Sequence, residues 1–330
     1  MPKRVILVGF DGADGLDIFG PAEVFTTAGR RLGMPAYDVV IAAVGKSIAL
    51  TSGASVAARR LDSIRPQADD TVLVVGGADR ALDEAASKQP LLGWLVRASR
   101  VVRRIGSVCD GAFIIARAGI LDGKRAATHW SSCDRLGRAY PQIEVDREAI
   151  FVRDGRVWTS AGVTTGIDMA LAMVEEDHGP RTADTVAAHL VVYARRPGFQ
   201  SQFSEVLVAQ SSASDPLGPL VAWLRANLRA SLDVTKLARR AGMSVRSLHR
   251  HCLRVLDTTP AKLVEKLRIE QARTLLATTS LGTKTIAARC GFGTPARMAL
   301  VFERALGVGP RAYRTMFSSP AEPRWRDTGR

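Results

Sequence analysis

A helix-turn-helix pattern occurs twice in the last third of this 330-residue chain, and no other feature restricts its fold as much. The run Leu237-Ala238-Arg239-Arg240-Ala241-Gly242-Met243-Ser244 returns as Ile286-Ala287-Ala288-Arg289-Cys290-Gly291-Phe292-Gly293-Thr294, with one extra residue at the second turn. The offset then settles at 50, so Leu248 corresponds to Met298, Leu256 to Leu306 and Pro260 to Pro310. Each copy predicts a short apolar helix that exits at a glycine, Gly242 or Gly291, because glycine tolerates positive φ. A hydroxyl residue, Ser244 or Thr294, follows as N-cap of the next helix. Two helices crossing through so short a turn is the geometry that lays the second helix in the DNA major groove.

The formal net charge of +14 is confined to that same end. Residues 1–215 hold 25 Lys and Arg against 25 Asp and Glu, whereas residues 216–330 hold 21 against 7. A neutral half joined to a basic double repeat points to a polyphosphate partner. RNA readers usually display aromatic platforms for unpaired bases, and the aromatic residues of this half are few and spread out. Double-stranded DNA is therefore the expected partner, ahead of RNA or a membrane surface.

The length exceeds one ordinary core and suits two domains, of about 200 and about 100 residues. No apolar stretch reaches the roughly 18 residues that a bilayer span needs. Met1-Pro2-Lys3-Arg4 leads directly into strand-like Val5-Ile6-Leu7-Val8, without a signal-peptide cleavage pattern. Cys109, Cys133, Cys252 and Cys290 lack paired C-x-x-C spacing, which argues against a zinc site or a disulfide framework. The expectation is a reduced, soluble, cytoplasmic protein with no membrane partner, no metal and no cofactor.

In the neutral half, short apolar runs alternate with helical patterns. Val5–Val8, Val39–Val44, Val72–Val75 and Ile105–Val108 read as strands buried on both faces of a parallel sheet. Pro21–Arg30 reads as a helix with Pro at its first position. Arg80–Lys88, Leu91–Arg103, Gly166–Glu176 and Thr182–Ala194 read as further helices, and Asp154-Gly155 as a two-residue hairpin turn. The alternation predicts an open, doubly wound α/β sheet, whose ligands sit beyond the carboxyl ends of the strands. Gln210-Ser211-Ser212-Ala213-Ser214-Asp215-Pro216 reads as a linker, and a helix around Leu220–Leu228 opens the basic half.

Cys109 falls where the strand Ile105–Val108 turns sharply into a helix around Ala112–Arg117, a nucleophile-elbow arrangement. A thiol at a helix N-terminus gains thiolate character. Gly76-Gly77, just after a strand, offer backbone donors for an anion or a carbonyl oxygen. Glu23 and His129 are candidate proton carriers; Asp17 is a candidate carboxylate or a simple turn cap. These features mark a site on one sheet edge more strongly than they mark catalysis.

Residues 218–316 resemble the AraC/XylS-type DNA-binding domain, two helix-turn-helix units joined by a long helix at about Pro260–Ala277. Gly291-Phe292-Gly293 and the run from Phe302 to Arg314 carry the second unit's signature. Residues 4–195 resemble the ThiJ/PfpI superfamily, a class I glutamine amidotransferase-like, flavodoxin-like fold. The matching segments are Asp17–Phe25, Val75-Gly76-Gly77, Cys109–Phe113, Gly119–Trp130 and Ser160–Asp168. The domain order is that of the GlxA-type transcriptional regulators. The resemblance places Cys109 on the elbow cysteine, Glu23 on its acidic neighbour and Asp17 on a hydratase carboxylate. Asp110 stands where protease-like members carry histidine, which speaks against peptidase chemistry. It implies residues 1–196 as a sensory and dimerisation domain, 197–217 as linker, 218–316 as DNA-binding domain and 317–330 as tail. The implied partners are DNA, a small amine or amino-acid-like effector bound near Asp17, Glu23, Gly76, Gly77, Cys109, Asp110 and His129, a second copy of the chain, and RNA polymerase. A Cys109-nucleophile hydratase or amidohydrolase fused to a DNA-binding module is the alternative.

On the first recognition helix, Leu248, Cys252, Leu253 and Leu256 read as the core face, and Arg246, Ser247, His249 and Arg250 as the DNA face. Arginine contacts guanine O6 and N7 together, or meets phosphate alone. On the second, from Thr294 to Leu306, Met298, Phe302 and Leu306 read as core. Ala296, Arg297, Ala299, Leu300 and Val301 face outward, suited to thymine methyls or phosphates. Lys262, Lys266, Arg268, Arg273, Lys284 and Arg289 are candidate phosphate contacts.

Overall fold

Val5, Ile6, Leu7 and Val8 alternate between two faces and all four are fully buried, so the strand they form needs cover on both sides. The computed structural model describes residues 2–192, 195–196, 198, 217–256, 258–306 and 308–317. It divides into two units, Met1–Gln202 and Phe203–Arg330. The expected linker at Gln210–Pro216 and the tail beyond Phe317 lie outside the described residues.

The first unit is built on a seven-stranded sheet with β1 (Lys3–Val8) inside it. From one edge the order is β10 (Phe151–Asp154), β11 (Val157–Ser160), β7 (Arg104–Val108), β6 (Thr71–Val74), β1, β2 (Tyr37–Ala43) and β5 (Arg59–Arg60). Every pairing is parallel except β10 with β11. Two small ribbons stand apart: β3 (Ser47–Ala49) with β4 (Ser55–Ala57), and β8 (Arg125–Ala126) with β9 (Glu144–Val145). Ile6 and Val8 join one core with residues of α2 (Asp79–Ser87), α3 (Gln89–Val101), α4 (Gly111–Arg117) and α5 (Cys133–Ala139). Val5 and Leu7 face the other, with α1 (Gly15–Leu32), α6 (Thr164–His178) and α7 (Pro180–His189). This is the flavodoxin-like doubly wound sheet. The order reverses between β1 and β6, which puts a crevice at their carboxyl ends.

Local readings shift in two places. α1 begins at Gly15, so Pro21 lies inside the helix rather than at its first position. Its missing N–H leaves the Asp17 carbonyl without a helical partner, a cost that α1 absorbs by burying Ile18, Val24, Phe25 and Ala28. The hairpin turn is Gly155-Arg156, one residue later than expected, because Asp154 pairs with Val157 and Gly155 takes φ +62°.

The second unit contains α8 (Leu217–Ala226), α9 (Val234–Arg240), α10 (Val245–Leu256), α11 (Pro260–Thr278), α12 (Thr283–Arg289), α13 (Pro295–Leu306) and α14 (Pro310–Phe317). Both turns close identically. Met243 N–H reaches Ala238 O and Phe292 N–H reaches Ala287 O, each 2.9 Å, around left-handed Gly242 and Gly291. Ser244 Oγ accepts from Ser247 N–H and Thr294 Oγ1 from Arg297 N–H, as the N-cap reading expects. The extra residue of the second turn is Gly293, also left-handed.

The tightest approach in the sheet is at Gly106, where a Cβ would lie 1.7 Å from the Trp158 carbonyl oxygen of β11. Gly106→Ala should therefore push β7 and β11 apart and lower stability by about 1–3 kcal/mol. A urea midpoint unchanged from the parent would contradict that packing.

Candidate functional site

Cys109 directly follows β7 with φ +54°, a left-handed conformation rare for a non-glycine residue. Its N–H donates to Ser160 O at the end of β11 (3.0 Å), and Thr128 Oγ1 donates to its carbonyl (3.2 Å). Three glycines make room for it. A Cβ on Gly76 would lie 2.7 Å from Cys109 Cβ, one on Gly162 would lie 2.2 Å from it, and one on Gly111 would strike Val74 O at 2.3 Å. The elbow is thus enforced by backbone approaching from β6, β11 and α4.

Asp17 stands beside the elbow, 1% exposed, in the first turn of α1. Its carboxylate accepts Gly76 N–H (3.1 Å) and Val163 N–H (2.8 Å). Burial pushes its carboxyl up to about 6, against those two hydrogen bonds and with help from the charges of Asp14 and Asp110. The Cys109 thiol is pushed well above its ordinary range, first by burial and then by Asp17 and Asp110. The expected gain of thiolate character is therefore reversed. Desolvation and neighbouring carboxylates outweigh a single turn's backbone donors. Gly76 also departs from expectation, because its N–H is already committed to Asp17 rather than open to an anion.

The remaining expected residues separate. Asp110 belongs to the site, its carboxylate held by Thr128 Oγ1 and Ser132 Oγ, both at 3.0 Å. Gly77 packs against Gly12 and Ala13, whose atoms would meet a Cβ at 2.3 and 2.8 Å, and so seats the loop that carries Asp17. Glu23 is exposed on α1, and among the described residues no hydrogen bond links it to Cys109. The acidic neighbour of Cys109 is Asp17. His129 shares a hydrogen bond with Ser131 Oγ (2.7 Å) and packs on Trp130, and none of the described hydrogen bonds joins it to Cys109. Gly162 and Val163 were not among the expected site residues. Val163 has φ +51°, a strained state for a β-branched side chain. The signal in the sequence is the small-residue run Ser160-Ala161-Gly162 at the end of a strand. Among the described residues no group of three His, Cys, Asp or Glu is placed to hold a metal ion, and no helix is long and apolar enough to cross a membrane.

In the second unit, Arg246 and Arg250 are exposed on α10, while Ser247 and His249 are half-buried. Leu248, Cys252 and Leu256 are buried, but Leu253 is exposed and extends the outer face. On α13, Thr294, Ala296, Arg297 and Leu300 are exposed, whereas Val301, expected outside, is buried beside Phe302. Lys262, Lys284 and Arg289 are exposed. Arg273 is buried and its Nε donates to Tyr313 Oη, and Arg268 donates to backbone carbonyls. Both are structural rather than phosphate contacts.

The DJ-1/PfpI family model matches residues 3–176, and a helix-turn-helix domain model matches residues 237–316. The HTH-type transcriptional regulator CdhR of Pseudomonas aeruginosa is 31% identical over 258 residues, 77% of this chain and 72% of that protein. The HTH-type transcriptional regulator GlxA of Rhizobium meliloti is 30% identical over 295 residues, 88% of this chain and 89% of that protein. A solved structure of a ThiJ/PfpI family protein from Pseudomonas syringae covers 74% of this chain and 92% of its own, with a TM-score of 0.54 and 23% identity, a likeness of fold.

Asp17 carries a pH signature. A carboxyl whose folded pKa lies above its ordinary 3.8 stabilises the fold fully only while protonated, so its contribution is lost as pH rises from about 4 to about 6. The loss is on the order of 3 kcal/mol. Asp17→Asn should remove it, and the gap in urea-derived stability between parent and variant should change by that amount across the window. A constant gap would contradict the assignment.

Proposed function

We propose, for a chain that belongs to the DJ-1/PfpI family and is built as an HTH-type transcriptional regulator, that its first unit senses a small cationic metabolite and its second reads a specific duplex. The observation that carries the sensing half is the convergence of Asp14, Asp17 and Asp110 on Cys109 at the carboxyl end of the sheet. Like charges there repel one another, and an ammonium group, as in an amine or amino acid, would relieve that repulsion. Exposed Leu16, Phe19 and Val163 flank Asp17 in sequence or by hydrogen bond, offering apolar contact for the rest of such a ligand.

The reading half rests on exposed Arg246 and Arg250, four residues apart on α10, with Arg297 and Leu300 on α13. Lys284, at the start of α12, suits a phosphate. Two recognition helices entering successive major grooves would stand about 34 Å apart. A homodimer would double the site, and RNA polymerase is the natural next partner. For the effector to switch DNA binding, it must favour one of two conformations, since equal affinity shifts nothing. Catalysis through Cys109 is the weaker reading. The strained elbow favours it, but burial and the surrounding carboxylates push the thiol away from the thiolate form that nucleophilic attack needs.

A thermal-shift panel of primary amines and amino acids tests the sensing half. A ligand at about 100 times its Kd should stabilise the chain by about 2.7 kcal/mol. Its binding should tighten as pH rises through about 6, where Asp17 ionises, and vanish in Asp17→Asn. A panel without a single shift would sink this half of the proposal. For the second unit, Arg246→Ala and Arg250→Ala should each relax base preference at individual positions by about 1–3 kcal/mol. Lys284→Ala should instead weaken every duplex evenly and reduce the salt slope by about 1. Equal effects of all three on every duplex would show that the reading face lies elsewhere.

A further inference from the structure

The connecting helix α11 serves two cores. Leu263, Val264 and Leu267 pack with α8, α9 and α10. Ile269, Ala272 and Leu276 are buried further along, where Arg273 meets Tyr313 of α14. Arg268 sits at the changeover, half-buried and polar. Its Nε and Nη2 donate to Leu228 O at 3.2 and 3.1 Å, and Nη2 also to Ala230 O at 3.0 Å. Leu228 and Ala230 lie in the segment that leads from α8 into the first helix-turn-helix.

The turn of the second helix-turn-helix packs against the same Leu228 carbonyl. A Cβ on Gly291 would lie 1.9 Å from it and 2.9 Å from Arg268 Nε and Nη2. Gly242, the equivalent glycine of the first copy, would meet nothing within 4 Å. Backbone conformation alone requires the first glycine, whereas the second is required by conformation and by this contact. The repeat is thus broken at the point where its two halves touch. Arg297, the exposed arginine of α13, lies close enough that its charge adds to burial in lowering the proton affinity of Arg268. Glu265, one turn earlier on α11, pairs with Arg304 of α13. One face of the connecting helix therefore carries both the hydrogen bonds to the entry loop of the first helix-turn-helix and an ion pair to the second recognition helix.

We propose that Arg268 is a positioning residue for DNA recognition: by clamping the Leu228 and Ala230 carbonyls against the Gly291 turn, it fixes α13 relative to α10. The spacing and angle at which the two recognition helices meet the duplex follow from that clamp. A guanidinium presents a rigid planar fork that holds two carbonyls at once, while an ammonium is a point donor on a flexible stem. Hydrophobic cores on either side leave some freedom to rock about α11, and directional hydrogen bonds remove it. The inference rests on the DNA-binding reading above.

The test uses the full chain and a randomised duplex library from which the parent protein selects its site. Binding to every single-base variant of that site is then measured. Arg297→Ala marks the positions read by α13, and Arg246→Ala and Arg250→Ala mark those read by α10. Arg268→Lys and Arg268→Gln should flatten preference about tenfold at the α13 positions while the α10 positions stay within about twofold. They should also tolerate one added base pair between the two halves better than the parent does. Affinity lowered by one common factor for all duplexes, or left at the parental pattern, would overturn the clamp. Arg268→Lys keeps the charge and stem and carries the test if Arg268→Gln melts early. If both melt below the assay temperature, Arg268 is a folding staple and the proposal falls. A parent chain that selects no duplex overturns the DNA-binding reading and this inference with it.

Discussion

The Asp17 carboxylate accepts N–H groups from Gly76 and Val163, and so ties the first turn of α1 to the ends of β6 and α6. Those segments are far apart in the chain and meet at the carboxyl edge of the sheet. The bridge brings with it two strained residues, Cys109 and Val163, whose left-handed backbone costs on the order of 1–3 kcal/mol each. Buried sheet and helix packing on both faces of β1 holds them there. It also accounts for the electrostatics. A carboxylate taken out of water, with Asp14 and Asp110 nearby, resists ionisation and keeps the adjacent thiol protonated.

That electrostatic setting separates two roles one fold can play. The elbow geometry alone is compatible with a nucleophile, and strain of this kind clusters at functional sites. A nucleophile would need a nearby base or cation to draw off its proton, and the charges acting most strongly on Cys109 are carboxylates. The same charges underlie the proposed cation binding. Geometry sets where these groups meet, and the sign of the surrounding charge disfavours a thiolate.

Much of the second unit was legible in the chain because helix caps are local. A glycine exit and a hydroxyl cap depend on residues within five positions, and both copies fold as their spacing predicts. Faces were less legible. Leu253 is exposed and Val301 buried because burial depends on how far neighbouring helices wrap, which periodicity does not state. The strands were readable from continuous apolar runs. Pro21 misled because a proline is tolerated inside α1 when the apolar face around it is well packed. Glu23 misled for a related reason: motif position placed it near the cysteine, while the helix turns its side chain outward and leaves Asp17 to make the contact.

From residue order alone came two units of opposite electrostatic character, a parallel α/β sheet and a doubled helix-turn-helix, since apolar period, cap chemistry and net charge are written locally. Only the tertiary structure decided that Asp17 rather than Glu23 adjoins Cys109, that the thiol is raised, and that Arg268 grips a carbonyl instead of meeting a phosphate. Each of these depends on groups remote in sequence converging within hydrogen-bond reach. Desolvation and like-charge repulsion then set their properties, and neither exists until the chain has closed around them.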